Sequence, residues 1–183
     1  RKNKLFIVED CAEALGSKIN NTMIGTFGDA NCFSFFGNKT ITTGEGGMIL
    51  FKDQKIAQKA RILRDHGMNP ERRYWHDVIG YNYRMTNIQA AIGLAQMERI
   101  EYFINHKRNL AKEYLNEMKN IDFVLHPPEA SWAYNTYWLY SVLILPESEL
   151  NRDDLIRAMS LNGIETRPVF YPLHEMPIYK KNI

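Results

Sequence analysis

The chain has 183 residues, 45% of them hydrophobic, with 23 lysines and arginines against 21 aspartates and glutamates and a formal charge of +2. That is enough apolar material for one large domain or two small ones, and charges so evenly interspersed exclude the basic stripe of a nucleic-acid binder. No apolar run approaches the ~20 residues that span a bilayer, and Cys11 and Cys32, both in apolar segments, read as buried thiols in a reducing, cytoplasmic compartment.

In chain order, residues 4–8 predict a first strand that runs on into Glu9 and Asp10, and residues 11–15 a short helix capped near Asp10. Asn20-Asn21-Thr22 marks a hairpin tip between residues 17–19 and 23–25. The aromatic run 32–36 reads as a buried strand, broken by Gly37-Asn38 just before Lys39. Residues 47–52 form a further strand, and Asp53 caps a helix that ends near Gly67. Residues 68–78, with Pro70, Arg72, Arg73, Trp75 and His76, have no period and read as a mobile surface loop. Helices follow over 87–98 and 100–118, the first rich in small residues (Ala90, Ala91, Gly93, Ala95) that permit close packing. The charges of His106-Lys107-Arg108 mark a candidate domain boundary. Beyond it, residues 123–125, 137–145 and 164–167 predict strands and 152–161 a helix, a small second domain in which Trp132, Tyr134, Trp138 and Tyr140 read as core.

Chemistry concentrates in residues 32–47, CFSFFGNKTITTGEGG. An amine held among Phe33, Phe35 and Phe36 would lose hydration of its charged form and become available as a nucleophile, although a lysine near a strand end more commonly snorkels to solvent. Asp10 shifts that balance. In an open α/β sheet the carboxyl ends of parallel strands form the ligand crevice, so Asp10 and Lys39 are expected to face one pocket. A carboxylate and a lysine together suit pyridoxal phosphate (PLP), which needs a Schiff-base lysine and an acidic partner for its ring nitrogen. Ser34 offers a hydroxyl for the phosphate. Gly44, Gly46 and Gly47 either admit a ligand close to the backbone or make a tight turn. The spacing of a P-loop is not met, and the five histidines show no zinc-ligand spacing.

Three segments, VEDCAEALGS, GTFGDANCFSFFGNKTITTGEGG and GYNYRMTNIQAAIGLAQ, resemble, in that order, the DegT/DnrJ/EryC1/StrS sugar aminotransferases. Within that family, FFGNKTITTGEGG and YWHDVIGYNYRMTNIQAAIG are most similar to the GDP-perosamine synthase branch. The resemblance implies the PLP-dependent transferase fold of aspartate aminotransferase, α/β with a mixed, mostly parallel sheet and a small α+β C-terminal domain. Residues 1–105 would be the C-terminal part of the large PLP-binding domain and 106–183 part of the small one, with sheet strands and a tail expected outside both ends. It places the Schiff-base lysine at Lys39, the partner of the ring nitrogen at Asp10, a phosphate-binding serine at Ser34, and at Glu13 a residue near the PLP phenolic oxygen that is commonly glutamine. Asn82 is similar to the asparagine that reaches the phosphate of the partner subunit's cofactor, so a homodimer with a shared active site is implied. The implied reaction moves an amino group from glutamate to a nucleotide-linked 4-keto-6-deoxy sugar, GDP-4-keto-6-deoxymannose for the perosamine branch, in O-antigen (lipopolysaccharide) or other glycan biosynthesis. A UDP- or dTDP-linked acceptor is the alternative within the family, and a truncated, non-catalytic interaction module is the alternative outside it.

Overall fold

A computed structural model describes residues 3–179 and places β1 over Val8–Asp10, β2 and β3 over Lys18–Ile19 and Thr22–Met23, and β4 and β5 over Ala30–Ser34 and Gly47–Phe51. The central sheet has the order β1-β4-β5, with β1 parallel and β5 antiparallel to β4. It is therefore mixed, with the parallel pair on the side that carries Asp10. The first strand starts at Val8 rather than residue 4, where its partner β4 begins at Ala30, and Lys4 itself takes a φ of 53° that extension does not allow. Strand β4 likewise starts and ends two residues earlier than the aromatic run suggests, leaving Phe35 and Phe36 outside it. Asn20 and Asn21, both at positive φ, make the two-residue turn of the β2–β3 hairpin. Residues 11–15 form turns rather than a helix.

Three helices follow: α1 (Gln54–Arg64), α2 (Asn87–Met97) and α3 (Ile100–Met118). The Asp53 side chain accepts from the backbone N–H groups of Lys55 and Ile56 at the start of α1. Thr86 and Gln89 form a reciprocal capping box at α2. Loop 68–78 is organised rather than shapeless: Asn69 accepts from the Glu71 and Arg72 N–H groups, and Asp77 accepts from Asn69 Nδ2 and Trp75 Nε1. Its cations stack on rings, Arg72 on Trp75 and Arg73 on Tyr74.

The remaining elements are β6 (Val124–Leu125), β7 (Ala133–Tyr134), β8 (Leu143–Ile144) and α4 (Arg152–Leu161), with a 3-10 turn at Leu173–Glu175. The chain divides into two compact units, one of Arg1–Glu113 with Glu129–Trp138, the other of Tyr114–Pro128 with Leu139–Ile183. Within the first, β7 pairs with β2, and the core comprises Cys11, Ala30, Phe35, Ile41, Ile104, Ala111 and Trp138. Within the second, β6 pairs with β8, and Tyr140 stacks on Tyr114 with its hydroxyl 3.1 Å from His126 Nδ1. Of the strand expected over 137–145 only β8 forms, and residues 164–167 form no strand among the described residues. No described helix is long and apolar enough to cross a membrane.

Glu9 ties β1 to the loop that precedes β4. Its carboxylate accepts from the N–H groups of Gly25 (2.6 Å), Phe27 (3.1 Å) and Gly28 (2.9 Å). Burial by itself would raise its pKa, but these backbone donors, with the Cys11 thiol, outweigh that and hold it below the usual carboxylate value. Gly25 is required here, with φ at +91° and the Phe33 ring standing where a Cβ would project. Because the folded pKa is lowered, this stabilisation is fully present above the unfolded value of about 4.5 and is lost as pH falls through the folded one. Glu9→Gln puts an amide donor against backbone donors and should cost about 1–3 kcal/mol at neutral pH. Thermal melts of the full-length variant between neutral and acid pH should accordingly converge on those of the unsubstituted protein; a constant gap would contradict this role.

Candidate active site

The parallel pairing of β1 and β4 aligns Asp10 with Cys32, so Asp10 and Ser34 occupy the carboxyl ends of neighbouring strands. This is the end at which an open α/β sheet binds its ligands. Asp10 Oδ1 accepts the Ala12 N–H at 3.0 Å, which orients the carboxylate just past its strand. Ser34 Oγ accepts the Phe36 N–H at 3.3 Å as the chain leaves β4.

From there the chain enters the loop that carries Lys39 and is closed at its base by one residue. The Phe35 N–H donates to Gly46 O, while Phe35 O accepts from the Thr43 N–H and from Thr42 Oγ1. Phe35, Thr40, Ile41 and Thr43 are buried, so the loop has a small core of its own. Gly46 and Gly47 serve the return into β5, which is the turn role of these glycines.

Helix α2 braces the loop from one side. Gln96 forms a two-way amide pair with the Thr42 backbone, accepting its N–H at 3.0 Å and donating to its carbonyl at 3.1 Å. Gln89, already in the capping box, donates to Glu45 O at 3.0 Å. A Cβ at Gly93 would approach Thr43 Cγ2 to 2.9 Å, so the small residues of α2 do permit a close approach, and its object is the lysine loop. Sequence reasoning missed both glutamines. Their spacing of seven residues, two helical turns on one face of α2, was the available signal.

Segment 129–138 braces the loop at a second point, Asn38. Arg108 grips Glu129 through both guanidinium nitrogens (2.6 and 3.2 Å) and also donates to Asn135 O, and its hydrogen bond holds the Glu129 carboxyl below the usual range. Lys107 Nζ donates to Trp138 O, and the fully buried Thr136 bonds Ser17 Oγ. Trp138 Nε1 in turn donates to Asn38 O at 2.8 Å, beside Lys39.

The Lys39 side chain is 13% exposed, with Nζ 3.6 Å from Glu13 Oε1 and 4.0 Å from the centre of the Trp138 ring. Its surroundings therefore differ from the phenylalanine pocket expected, since Phe33 packs on Gly25 and Phe36 is about half exposed. Asp10 and Ser34 thus share one end of the sheet, and Glu13 and Lys39 meet directly. No hydrogen bond or ion pair among the described residues joins Asn82 to these four; it lies exposed, bridged to Asp65 at the end of α1. The thiol of Cys11, pushed up to about 12 chiefly by burial and then by Glu9, is not a nucleophile. A concavity of about 330 Å³ between α1 and loop 68–78 contains none of the five residues.

The model of the DegT/DnrJ/EryC1/StrS aminotransferase family matches residues 1–183. The chain belongs to this family. It is 49% identical over 182 residues to the GDP-perosamine synthase of Escherichia coli O157:H7, covering 99% of this chain and 49% of that one. Among solved structures of the family's fold, the aminotransferase TlmJ from Streptoalloteichus hindustanus superposes with a TM-score of 0.89 at 29% identity, covering 98% of this chain and 48% of that chain. The E. coli GDP-4-keto-6-deoxy-D-mannose-3-dehydratase with bound hydrated PLP gives 0.81 at 28% identity, covering 90% and 46%. The chain thus spans about half the length of the curated relatives it matches, and the family's sugar-aminotransferase fold is what its mixed sheet represents.

Proposed function

We propose that the full-length protein is a PLP-dependent sugar-nucleotide aminotransferase that moves an amino group from glutamate to GDP-4-keto-6-deoxymannose. The carrying observation is a shielded lysine, Lys39, on a braced loop that leaves the same strand end as Ser34, one strand from Asp10. The donor set fits the cofactor: an amine for covalent attachment, a carboxylate for the ring nitrogen and a hydroxyl for the phosphate. When bound, PLP supplies an electron sink for the carbon that gains or loses the amino group. Lys39 would hold the cofactor and would carry the proton to and from the carbon that gains or loses the amino group. Asp10 would keep the ring nitrogen protonated, and Ser34 would donate to the phosphate. Glu13 faces the lysine amine rather than standing free beside a phenolate, which relieves the repulsion its charge would otherwise cause. Asn82 serves a second copy's cofactor across a homodimer, which agrees with its exposure away from Lys39. Residues 1–105 and 106–183 would then belong to the family's large and small domains, except that segment 129–138 returns to the compact unit of the first.

The 49% identity to a GDP-perosamine synthase supports the GDP-linked acceptor over UDP- or dTDP-linked ones. Incubating the full-length protein with PLP, glutamate and each of the three keto sugars tests this. The GDP-linked 4-amino sugar should appear with one equivalent of 2-oxoglutarate. Faster conversion of a UDP- or dTDP-linked acceptor would overturn the choice of substrate, and no conversion of any would support the non-catalytic module.

A further inference from the structure

We propose that Trp138 is a positioning residue for the amine of Lys39, an inference that rests on the reading of Lys39 as the reactive lysine. Trp138 is 8% exposed and touches the lysine loop twice, through the Nε1–H bond to Asn38 O at 2.8 Å and through its ring face, 4.0 Å from Lys39 Nζ. The first contact fixes the backbone from which Lys39 springs. The second receives the amine itself, which also lies 3.6 Å from Glu13 Oε1.

A shuttling lysine poses a particular physical problem. While bonded to the cofactor the side chain is tethered at both ends, but once released it has four rotatable bonds and carries a full charge whenever it takes the proton. An aromatic face attracts that charge without offering a competing base, so the ammonium is held and the proton is left available for transfer. A carboxylate alone would hold it more rigidly and compete for the proton.

The bracing of segment 129–138 is what makes Trp138 fit for this task. Lys107 anchors its carbonyl, Arg108 anchors Glu129 and Asn135, and buried Thr136 is bonded to Ser17, so the ring is fixed to the same unit as Lys39. A residue needed only to fill the core would not require its polar edge and its ring face to meet consecutive residues of one loop.

The test uses the full-length protein. Trp138→Leu removes the ring face, and a polyfluorinated tryptophan placed at 138 keeps its shape and Nε1–H while depleting the negative face. Trp138→Phe restores a face without the Nε1–H. Rates are taken from single-turnover loss of the bound-PLP absorbance on adding glutamate, normalised to cofactor content. The leucine variant should lose roughly tenfold in rate, and the fluorinated one several-fold, with KM for glutamate held within about twofold, while phenylalanine recovers most of the loss. A fluorinated protein that turns over at the unsubstituted rate would overturn the proposal, as would equal losses in the Leu and Phe variants, which would assign the effect to the Asn38 bond. Borohydride labelling of the unsubstituted protein separates the two levels. A label away from Lys39 overturns the functional reading and this inference with it, whereas a label on Lys39 with unchanged variant rates overturns the inference alone.

Discussion

Lys39→Ala in the full-length protein is expected to abolish amino transfer, with a loss of at least about 10⁴-fold. On the proposed reading two roles would disappear together, the covalent anchor of the cofactor and the base that moves the proton, and proton transfer by a placed side chain is by itself worth about 10²–10⁴. Folding should survive, because the lysine's own contacts are an ion pair to a half-exposed Glu13 and a ring face. The loop is instead held by Phe35, by Gln96 and by the Trp138 bond to Asn38, none of which uses the lysine side chain. Glutamate-dependent formation of 2-oxoglutarate, read alongside circular dichroism, checks both halves of this expectation.

Asp10→Asn should slow transfer by roughly 10²–10³-fold, the range seen when one preorganised electrostatic contact is removed from an active site. The substitution is nearly isosteric, and the amide oxygen can still accept the Ala12 N–H, so the end of β1 should keep its course. On the proposed reading, what is lost is the negative charge that would keep the ring nitrogen protonated and make the cofactor an effective sink. Cofactor binding should weaken much less than turnover. Near-normal turnover in the asparagine variant would assign the partner of the ring nitrogen to another group.

Local signals made most of the elements of this fold legible. Asp53 and the Asn20-Asn21 turn are short-range chemistry, the apolar periods of the helices are local too, and the helices and the hairpin lie where they imply. The elements that were misread are those decided at long range. Residues 129–138 are drawn to α3 and β2 by Arg108, Lys107 and a Ser17–Thr136 contact 119 residues apart, so Tyr137 and Trp138 cannot extend a strand with residues 139–145. The same holds at the site. Asp10 and Ser34 stand at strand ends as their sequence positions suggest, and Lys39 lies on the loop beyond β4 rather than at its end, whereas Gln96, Gln89 and Trp138 act on that loop from distant positions in the chain. Helix α2 is the most telling case, because its small-residue stripe was visible but the thing it packs against was not. Several of its larger side chains, including Ile88 and Leu94, remain exposed.

The central claim is that Lys39 is the residue that holds PLP. Reduction of the full-length, PLP-loaded protein with borohydride, followed by peptide mapping, tests it most directly. The account predicts a single pyridoxyl modification, on the peptide that contains Phe35 to Thr43 and at Lys39 within it. A pyridoxyl group on Lys18, Lys52 or any other lysine, with Lys39 unmodified, would contradict it.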